Sequence, residues 1–220
     1  MTAETRKTLA DIKPGDILEF VTPDCLGRVI QFYVRGRSQH VGLVAKRIGY
    51  LRKFGNTQKT SHPGDNRLVV WESTMSLPMP CLFAGKRVKG VGVRLLDKRI
   101  EYTLKQRGRV WVHPLVVPLT DEESRELAWA CYRTRGTPYD WWGAFQARTL
   151  GGRWLTRTIV PSVEDAGKLF CCEADAFWLR AVGRFERDNA GAFNPKTFLK
   201  AQHEDEMHGL PFEVTLAMLK

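Results

Sequence analysis

The sequence predicts a single-domain α+β fold, and three observations support this prediction. Five short segments rich in β-branched and aromatic residues lie before Pro118. After Pro118, segments with a helical spacing of apolar residues dominate. The chain has 220 residues, which is enough to bury one core without metals or disulfides. Strands followed by helices indicate a small, mostly antiparallel sheet packed against helices.

The predicted strands are bounded by Gly, Pro or polar residues, as strands usually are. They cover residues 16–21, 40–46, 67–73, 91–96 and 109–115. Short helical segments are also predicted between the first two strands, at 27–36, and between the last two, at 98–106.

The first helix of the second half is predicted at 121–135. Its segment opens with a Thr cap and three acids and ends in Arg and Gly. Further helices are predicted at 139–149 and 171–183, with a short one at 195–201. Because no repeat and no linker-like cluster interrupts the chain, we expect one domain over 1–220. Its core motifs lie in 12–183, and 184–220 is a C-terminal extension.

Charge is distributed unevenly along the chain. The formal net charge is +10, yet the stretch from Leu26 to Pro118 contains eighteen Lys or Arg against four acids, an excess of fourteen positive charges. Such a field favours an anionic partner, which could be nucleic acid, lipid head groups or an acidic protein. The alternative is a solvated surface that only maintains solubility. Aromatic residues do not alternate with these charges, which disfavours a single-strand nucleic-acid platform.

Cysteine and histidine spacing indicates neither a metal site nor another cofactor. The five Cys include no CxxC pair and the five His include no HExxH pattern, so we expect reduced thiols and no metal. The first residues are charged, and the longest apolar stretch, 77–85, is far shorter than the roughly 20 residues that span a bilayer. The sequence therefore predicts a cytoplasmic protein without an export signal or membrane span.

The segment with the most reactive chemistry is the start of the predicted helix 171–183. Cys171 and Cys172 lie in its first turn, where free backbone N–H groups and the helix dipole favour thiolate over thiol. Either thiol could be activated in this way. The alternative is that both are small buried residues that pack a helix start.

Two further residues complete a possible catalytic set. His40 opens the predicted strand 40–46, and Glu72 lies near the polar end of strand 67–73. If these strands are neighbours, Glu72 can orient one ring nitrogen of His40 while the other nitrogen faces the thiol, as nucleophilic catalysis requires. Spacing indicates no partner for His62 or His113, so we predict that both are structural or exposed.

Five segments in a fixed order carry a resemblance to a known family. KPGDILEF, SQHVGLV, WES, GTPYDWW and FCCEADAF resemble the circularly permuted NlpC-type, papain-like cysteine hydrolases, the YiiX-like group. In that group the His and acidic strands precede the cysteine helix, whereas unpermuted papain-like enzymes have the cysteine first. The resemblance runs in pieces from Ile12 to Val182, and residues 47–66, 76–108 and 150–168 match none of its motifs.

This resemblance implies roles for individual residues. The family's cysteine segment reads aromatic, Cys, small residue, Glu, which here is residues 170–173. It thus implies Cys171 as nucleophile, His40 as base, Glu72 as the residue that orients the base, and Tyr139 as an oxyanion or cleft-lining residue. The chain departs from the family at Cys172, where Ser or a similar small residue is usual, so the assignment of the nucleophile stays open by one position.

The implied function is a cysteine hydrolase or acyl-transfer enzyme that cleaves an amide or ester bond through a thioester acyl-enzyme. The substrates implied are cell-wall peptides, glycopeptides or lipid-type acyl groups. Reaching a cell wall without an export signal would require a lysis or virion apparatus, so association with a phage particle is a second expected location. Two alternatives stay open: a non-catalytic polyanion-binding module and a structural virion protein on the same scaffold.

Overall fold

A computed structural model describes residues 8–23, 39–47, 67–75, 77–140, 168–186 and 193–219. Within these residues the chain forms an α+β fold with one six-stranded sheet. The strands are β1 (Ile17–Val21), β2 (His40–Lys46), β3 (Leu68–Thr74), β4 (Gly90–Leu95), β5 (Arg109–His113) and β6 (Phe212–Val214). They lie in the order β4-β3-β2-β1-β5-β6, and every neighbouring pair is antiparallel.

Four helices accompany the sheet in the described part of the chain. They are α1 (Leu96–Lys105), α2 (Asp121–Arg133), α3 (Cys171–Arg180) and α4 (Pro195–Glu204). The α2 start follows its predicted capping, because the Thr120 hydroxyl accepts a hydrogen bond from the Glu123 backbone N–H, and the Glu123 carboxylate accepts one from the Thr120 N–H.

Alternating side chains of the strands supply two separate cores. One face of the sheet packs against α2, α3 and α4, with Leu43, Trp71 and Trp178 among its buried residues. The other face packs against α1 and buries Phe20 and Val70. The sheet is therefore covered on both sides, which explains why its central strands are apolar at almost every position.

The predicted α+β class and the five predicted strands are confirmed, each to within two residues at either end. The segments predicted at 98–106, 121–135, 171–183 and 195–201 correspond to α1, α2, α3 and α4. The helix predicted at 27–36 lies outside the described residues. Of the helix predicted at 139–149, only 139 and 140 are described, and they are not helical.

β6 was not predicted from the sequence. It has only three residues, follows Pro211 and carries a glutamate at its centre, so it shows no alternating apolar pattern. Together with α4 it ties part of segment 184–220 to the rest of the fold, because it pairs with β5 and α4 packs in the same core as α3. The division into core motifs and C-terminal extension stays a prediction.

Candidate active site

The structure brings Cys171, His40 and Glu72 together. His40 is the first residue of β2, Glu72 lies on the adjacent β3, and Cys171 is the first residue of α3. The His40 Nε2 lies 2.7 Å from the Glu72 Oε2. The His40 ring and the backbone N–H of Val41 lie close enough to the Cys171 sulfur to lower the pKa of its thiol. Because Nε2 is engaged by Glu72, Nδ1 is the ring nitrogen left for the thiol.

β3 anchors both sides of this site. Glu72 points to the α1 face of the sheet, while the next residue, Ser73, points to the α3 face. The Ser73 hydroxyl donates a hydrogen bond of 2.5 Å to the carbonyl oxygen of Leu169, two residues before α3 begins. Of two successive residues of β3, Glu72 thus supplies the carboxylate and Ser73 binds the segment that leads into α3.

A glycine makes room for the carboxylate beside the imidazole. Gly42 lies next to Glu72 in the sheet, and a Cβ at this position would be 3.1 Å from the Glu72 Cβ and 3.0 Å from a methyl group of Val70. Such contacts are closer than ordinary van der Waals packing allows. A side chain at position 42 would therefore crowd β3 at Val70 and Glu72.

Two arginines that sequence reasoning missed hold Glu72 in place. Glu72 is fully buried, and its Oε1 accepts hydrogen bonds from Arg94 Nη1 at 3.2 Å and from Arg99 Nε at 2.8 Å. Burial alone would raise the pKa of Glu72, but Arg99, Arg94 and His40 outweigh it and keep that pKa well below its usual range. A signal existed in the sequence, since Arg94 interrupts an otherwise apolar strand.

The His40 ring is fixed by packing as well as by Glu72. Phe20 lies beside it with a centroid separation of 5.8 Å, and the Arg99 guanidinium lies 3.8 Å from the centroid of the Phe20 ring. The preceding residue, Gln39, accepts a hydrogen bond from the Thr22 backbone N–H and donates one to the Thr22 carbonyl. The start of β2 is therefore tied to the end of β1, which limits the motion of the imidazole.

The electrostatics favour an ion pair between Cys171 and His40. Burial would lower the pKa of His40, but its hydrogen bonds to Cys171 and Glu72 raise that pKa to about 9. The pKa of Cys171 is lowered well below its usual value, first by a hydrogen bond from Cys172 and then by His40 and the Val41 N–H, against the opposing effect of burial. Both shifts favour a thiolate paired with an imidazolium over the neutral pair.

Two other buried acidic groups of this region have raised pKa values. Asp175, one turn after Cys171 on α3, is fully buried, and neither carboxyl oxygen has a hydrogen-bond partner among the described residues. Burial, followed by the charges of Cys171 and Glu72, raises the pKa of Asp175 well above its ordinary value. Burial likewise raises the pKa of Cys131 on α2. Burial therefore favours the neutral form of both groups.

Tyr139 lies in a segment that is joined to the start of α3. Leu169 donates its backbone N–H to the Pro138 carbonyl at 3.0 Å, and Tyr139 packs against the core that contains Cys171. The role of Tyr139 in binding an oxyanion or lining the cleft stays a prediction, as do the catalytic roles of Cys171, His40 and Glu72.

A second group of histidines lies at the other end of the sheet. His113 Nε2 is 3.1 Å from Glu19 Oε2, and His113 Nδ1 is 3.0 Å from His203 Nε2. His113 is buried and joins three elements, which agrees with the structural role predicted for it. His62 lies outside the described residues.

This second group lines a cavity of about 760 Å³ between β1, β5 and α4. Neither Cys171 nor His40 is among the lining residues, so the volume of the cavity does not mark the thiol site. We identify the candidate active site from its geometry and charge instead.

Across the described ranges, no group of three or more His, Cys, Asp or Glu is arranged to hold a metal ion. In the same ranges, no helix is long and apolar enough to cross a membrane.

Comparison with solved structures shows a likeness of fold. The crystal structure of the metalloprotein YiiX from Escherichia coli O157:H7, assigned to DUF1105, matches with a TM-score of 0.50 and 14% sequence identity. The match covers 93% of this chain and 97% of the YiiX chain. The likeness is consistent with a YiiX-like fold and, at this identity, concerns the fold alone.

Sequence comparisons add no family assignment. No model of a known protein family matches the chain. No curated protein matches it either.

Proposed function

We propose that the protein is a cysteine hydrolase or acyl-transfer enzyme whose nucleophile is Cys171. The observation that carries the proposal is the placement of the Cys171 sulfur beside the His40 ring, whose Nε2 is hydrogen-bonded to the Glu72 carboxylate at 2.7 Å. A nucleophile, a base and a group that orients the base are the parts that thiol catalysis requires. The order of these residues along the chain also supports a permuted NlpC-type, papain-like domain.

The first chemical step follows from the ion pair. The Cys171 thiolate attacks the carbonyl carbon of an amide or ester, and the imidazolium of His40 gives its proton to the leaving amine or alcohol. The products are a thioester on Cys171, a neutral His40 and the released leaving group. The backbone N–H of Cys171, which has no partner within the helix, is suited to stabilise the oxyanion that forms during attack.

The second step returns the enzyme to its starting state. Neutral His40 takes a proton from water or another acceptor, which attacks the thioester carbonyl and releases the acyl group. Glu72 keeps its charge throughout, because Arg94 and Arg99 hold it ionised. Its task is to hold Nε2 of His40 so that Nδ1 stays directed at the sulfur.

The substrates we propose are cell-wall peptides, glycopeptides or lipid-type acyl groups, on the basis of the family resemblance. The alternative is a polyanion-binding module or virion structural protein that uses the same scaffold without catalysis. The observation that favours this alternative is the run of exposed cations Lys86, Arg87 and Lys89 on the loop between β3 and β4. That loop leaves β3 and enters β4 at the end of the sheet where His40 lies.

Thiol ionisation and acyl transfer test the proposal together. The pH midpoint of Cys171 alkylation by iodoacetamide is measured by peptide mass spectrometry. The midpoint is used instead of the absolute rate, because Cys171 is only 2% exposed and its rate depends on access as well as ionisation. We expect a midpoint well below about 8.5. Incubation with p-nitrophenyl esters of increasing chain length should leave an acyl adduct on Cys171.

Two variants decide the assignment of the nucleophile. Cys171→Ala should abolish the adduct and ester turnover, whereas Cys172→Ser should keep most of both. An adduct that persists in Cys171→Ala and vanishes in Cys172→Ser would move the nucleophile to position 172. An ordinary thiol midpoint with no adduct on either cysteine would favour the non-catalytic alternative.

A further inference from the structure

The two adjacent thiols at the start of α3 are in contact. The Cys171 and Cys172 sulfur atoms are 3.7 Å apart, and both residues are buried. This separation allows a hydrogen bond between sulfurs, in which either thiol could in principle be the donor. The contact is unusual because successive helical residues are rotated by about 100° around the axis and usually point away from each other.

Ionisation of Cys171 fixes the direction of this hydrogen bond. A thiolate has no proton to give, so once Cys171 is ionised the S–H of Cys172 must be the donor. Hydrogen bonds to an ionised acceptor are roughly twice as strong as neutral ones. The contact therefore stabilises the thiolate of Cys171 more than its thiol.

Cys172 is suited to remain the protonated partner. It is fully buried in the apolar core formed by the sheet with α2, α3 and α4. A second thiolate beside the first would place two like charges 3.7 Å apart in this core, which is costly. His40 and the Val41 N–H approach Cys171, so the Cys172 proton completes a set of three donors around one sulfur.

We propose that Cys172 is a positioning residue that donates its S–H hydrogen bond to the Cys171 thiolate and thereby sets the ionisation and direction of the nucleophile. The proposal rests on the proposed function, in which Cys171 is the nucleophile. It gives position 172 a chemical requirement, a short side chain with a donor, which Cys and Ser satisfy and Ala does not.

The test compares variants that keep or remove the donor. In Cys172→Ala we expect the pH midpoint of Cys171 alkylation to rise by about one unit. A shift of this size corresponds to the free energy lost with a single hydrogen bond to a charged group. At a pH below both midpoints, the alkylation rate then falls about tenfold. In Cys172→Ser the hydroxyl replaces the donor, so we expect a midpoint within about 0.3 units of the wild type.

Two further variants separate hydrogen bonding from packing. Cys172→Val has no donor but fills the space of the thiol, so it should shift the midpoint as Cys172→Ala does, and it serves if Cys172→Ala does not fold. Cys131→Ala removes a buried thiol from the same core and should leave the midpoint unchanged. Thermal unfolding of each variant shows whether the fold is intact.

The outcomes distinguish this inference from the proposed function. A wild-type midpoint near 8.5 for Cys171 contradicts the proposed function itself. A low wild-type midpoint that stays the same in both Cys172→Ala and Cys172→Val overturns the role of Cys172 and leaves the proposed function standing. Equal shifts in Cys172→Ser and Cys172→Ala also overturn it, because Ser retains the donor.

Discussion

The sheet carries two pairs of glutamate and histidine, and they differ in what lies beyond the imidazole. At one end, His40 connects Glu72 to the thiol of Cys171. At the other end, His113 connects Glu19 to a second imidazole, that of His203. His40 pairs with Phe20 and His113 with Ile17, so the pairs lie two strands apart and about 10 Å apart along the strands.

The comparison shows that the two hydrogen-bonded pairs differ in the group that lies beyond the imidazole. The first pair has an ionisable sulfur at its end and a histidine side chain that is 19% exposed. In the second pair, His203 passes its hydrogen bond to the carbonyl oxygen of His208, so the series ends on the backbone. The second pair therefore ties α4 and the following loop to the sheet, while the first would, under the proposed function, transfer a proton to a substrate.

The largest expected effect comes from replacing each histidine in turn. We expect His40→Gln to lower ester turnover by about 10²–10⁴-fold, the range for loss of a general acid or base, and to raise the midpoint of Cys171 alkylation. His113→Gln should change turnover by no more than about twofold, because distant sites act independently. Steady-state kinetics and the alkylation profile provide the measurement, and equal losses in the two variants would contradict the distinction between the pairs.

The two glutamates should differ in their effect on stability. Glu72→Gln leaves Arg94 and Arg99 buried without an anion, so we expect a loss of about 3–5 kcal/mol in the free energy of unfolding. Glu19→Gln weakens one hydrogen bond to His113, which should cost about 1–2 kcal/mol. Urea unfolding at pH 7 measures both. A larger loss for Glu19→Gln would show that the second pair is the main structural anchor.

The two ends of the sheet should also respond to pH in opposite directions. Burial lowers the pKa of His208 from about 6.5 to about 4, so the unfolded chain binds this proton first and stability falls as the pH drops from 6.5 to 4. The pKa of His40 is raised to about 9, so its contribution is full below pH 6.5 and is lost as the pH rises through 9. We expect the acid loss from His208 to be on the order of 3 kcal/mol.

A difference measurement isolates the His208 contribution. The neighbouring Asp16 has a pKa raised by burial to about 6, so it stabilises the fold as the pH falls and offsets His208 in the wild type. The gap in unfolding free energy between wild type and His208→Gln should therefore be measured at several pH values. It should change by on the order of 3 kcal/mol between pH 7 and pH 4 in favour of the variant. A gap that does not vary with pH would contradict the low pKa of His208.

The smallest expected effect concerns the cations near the thiol end. Changing Lys86, Arg87 and Lys89 together to Gln should flatten the salt dependence of binding to duplex DNA, by about 0.9 in logarithmic slope for each phosphate that the variant no longer neutralises. Turnover of a neutral ester should not change, since exposed charges are screened beyond about 8 Å at physiological salt. A matched control changes Lys98, Lys196 and Lys200. Weak, salt-independent binding to DNA, phosphatidylglycerol vesicles and heparin would identify the charge excess as a solubility feature.

Much of the fold could be predicted because local patterns determine it. The apolar run after His40 predicted the observed bounds of β2, and the Thr120 cap predicted the first residue of α2. β6 could not be predicted, because three residues pair with β5 only through tertiary contact. The same limit applies to position 113, whose partners lie 94 and 90 residues away in sequence, at Glu19 and His203.

The candidate site was predictable where residue type carries chemistry. A cysteine at a helix start, a histidine at a strand start and a glutamate in an apolar strand each pointed to the arrangement that the structure shows. Arg94 and Arg99 were missed because neither forms a local pattern with Glu72, which lies 22 and 27 residues away. Their position depends on the β3–β4 pairing and on the packing of α1, which sequence spacing does not encode.

The contact between Cys171 and Cys172 has a consequence for oxidative damage. Consecutive Cα atoms across a trans peptide are about 3.8 Å apart, closer than the roughly 4.4–6.8 Å that a disulfide requires. If peroxide converts the Cys171 thiolate to a sulfenic acid, the adjacent thiol cannot resolve it without unwinding the first turn of α3. Reactivation would then depend on a thiol supplied from solution, and further oxidation to the sulfinic acid would be irreversible.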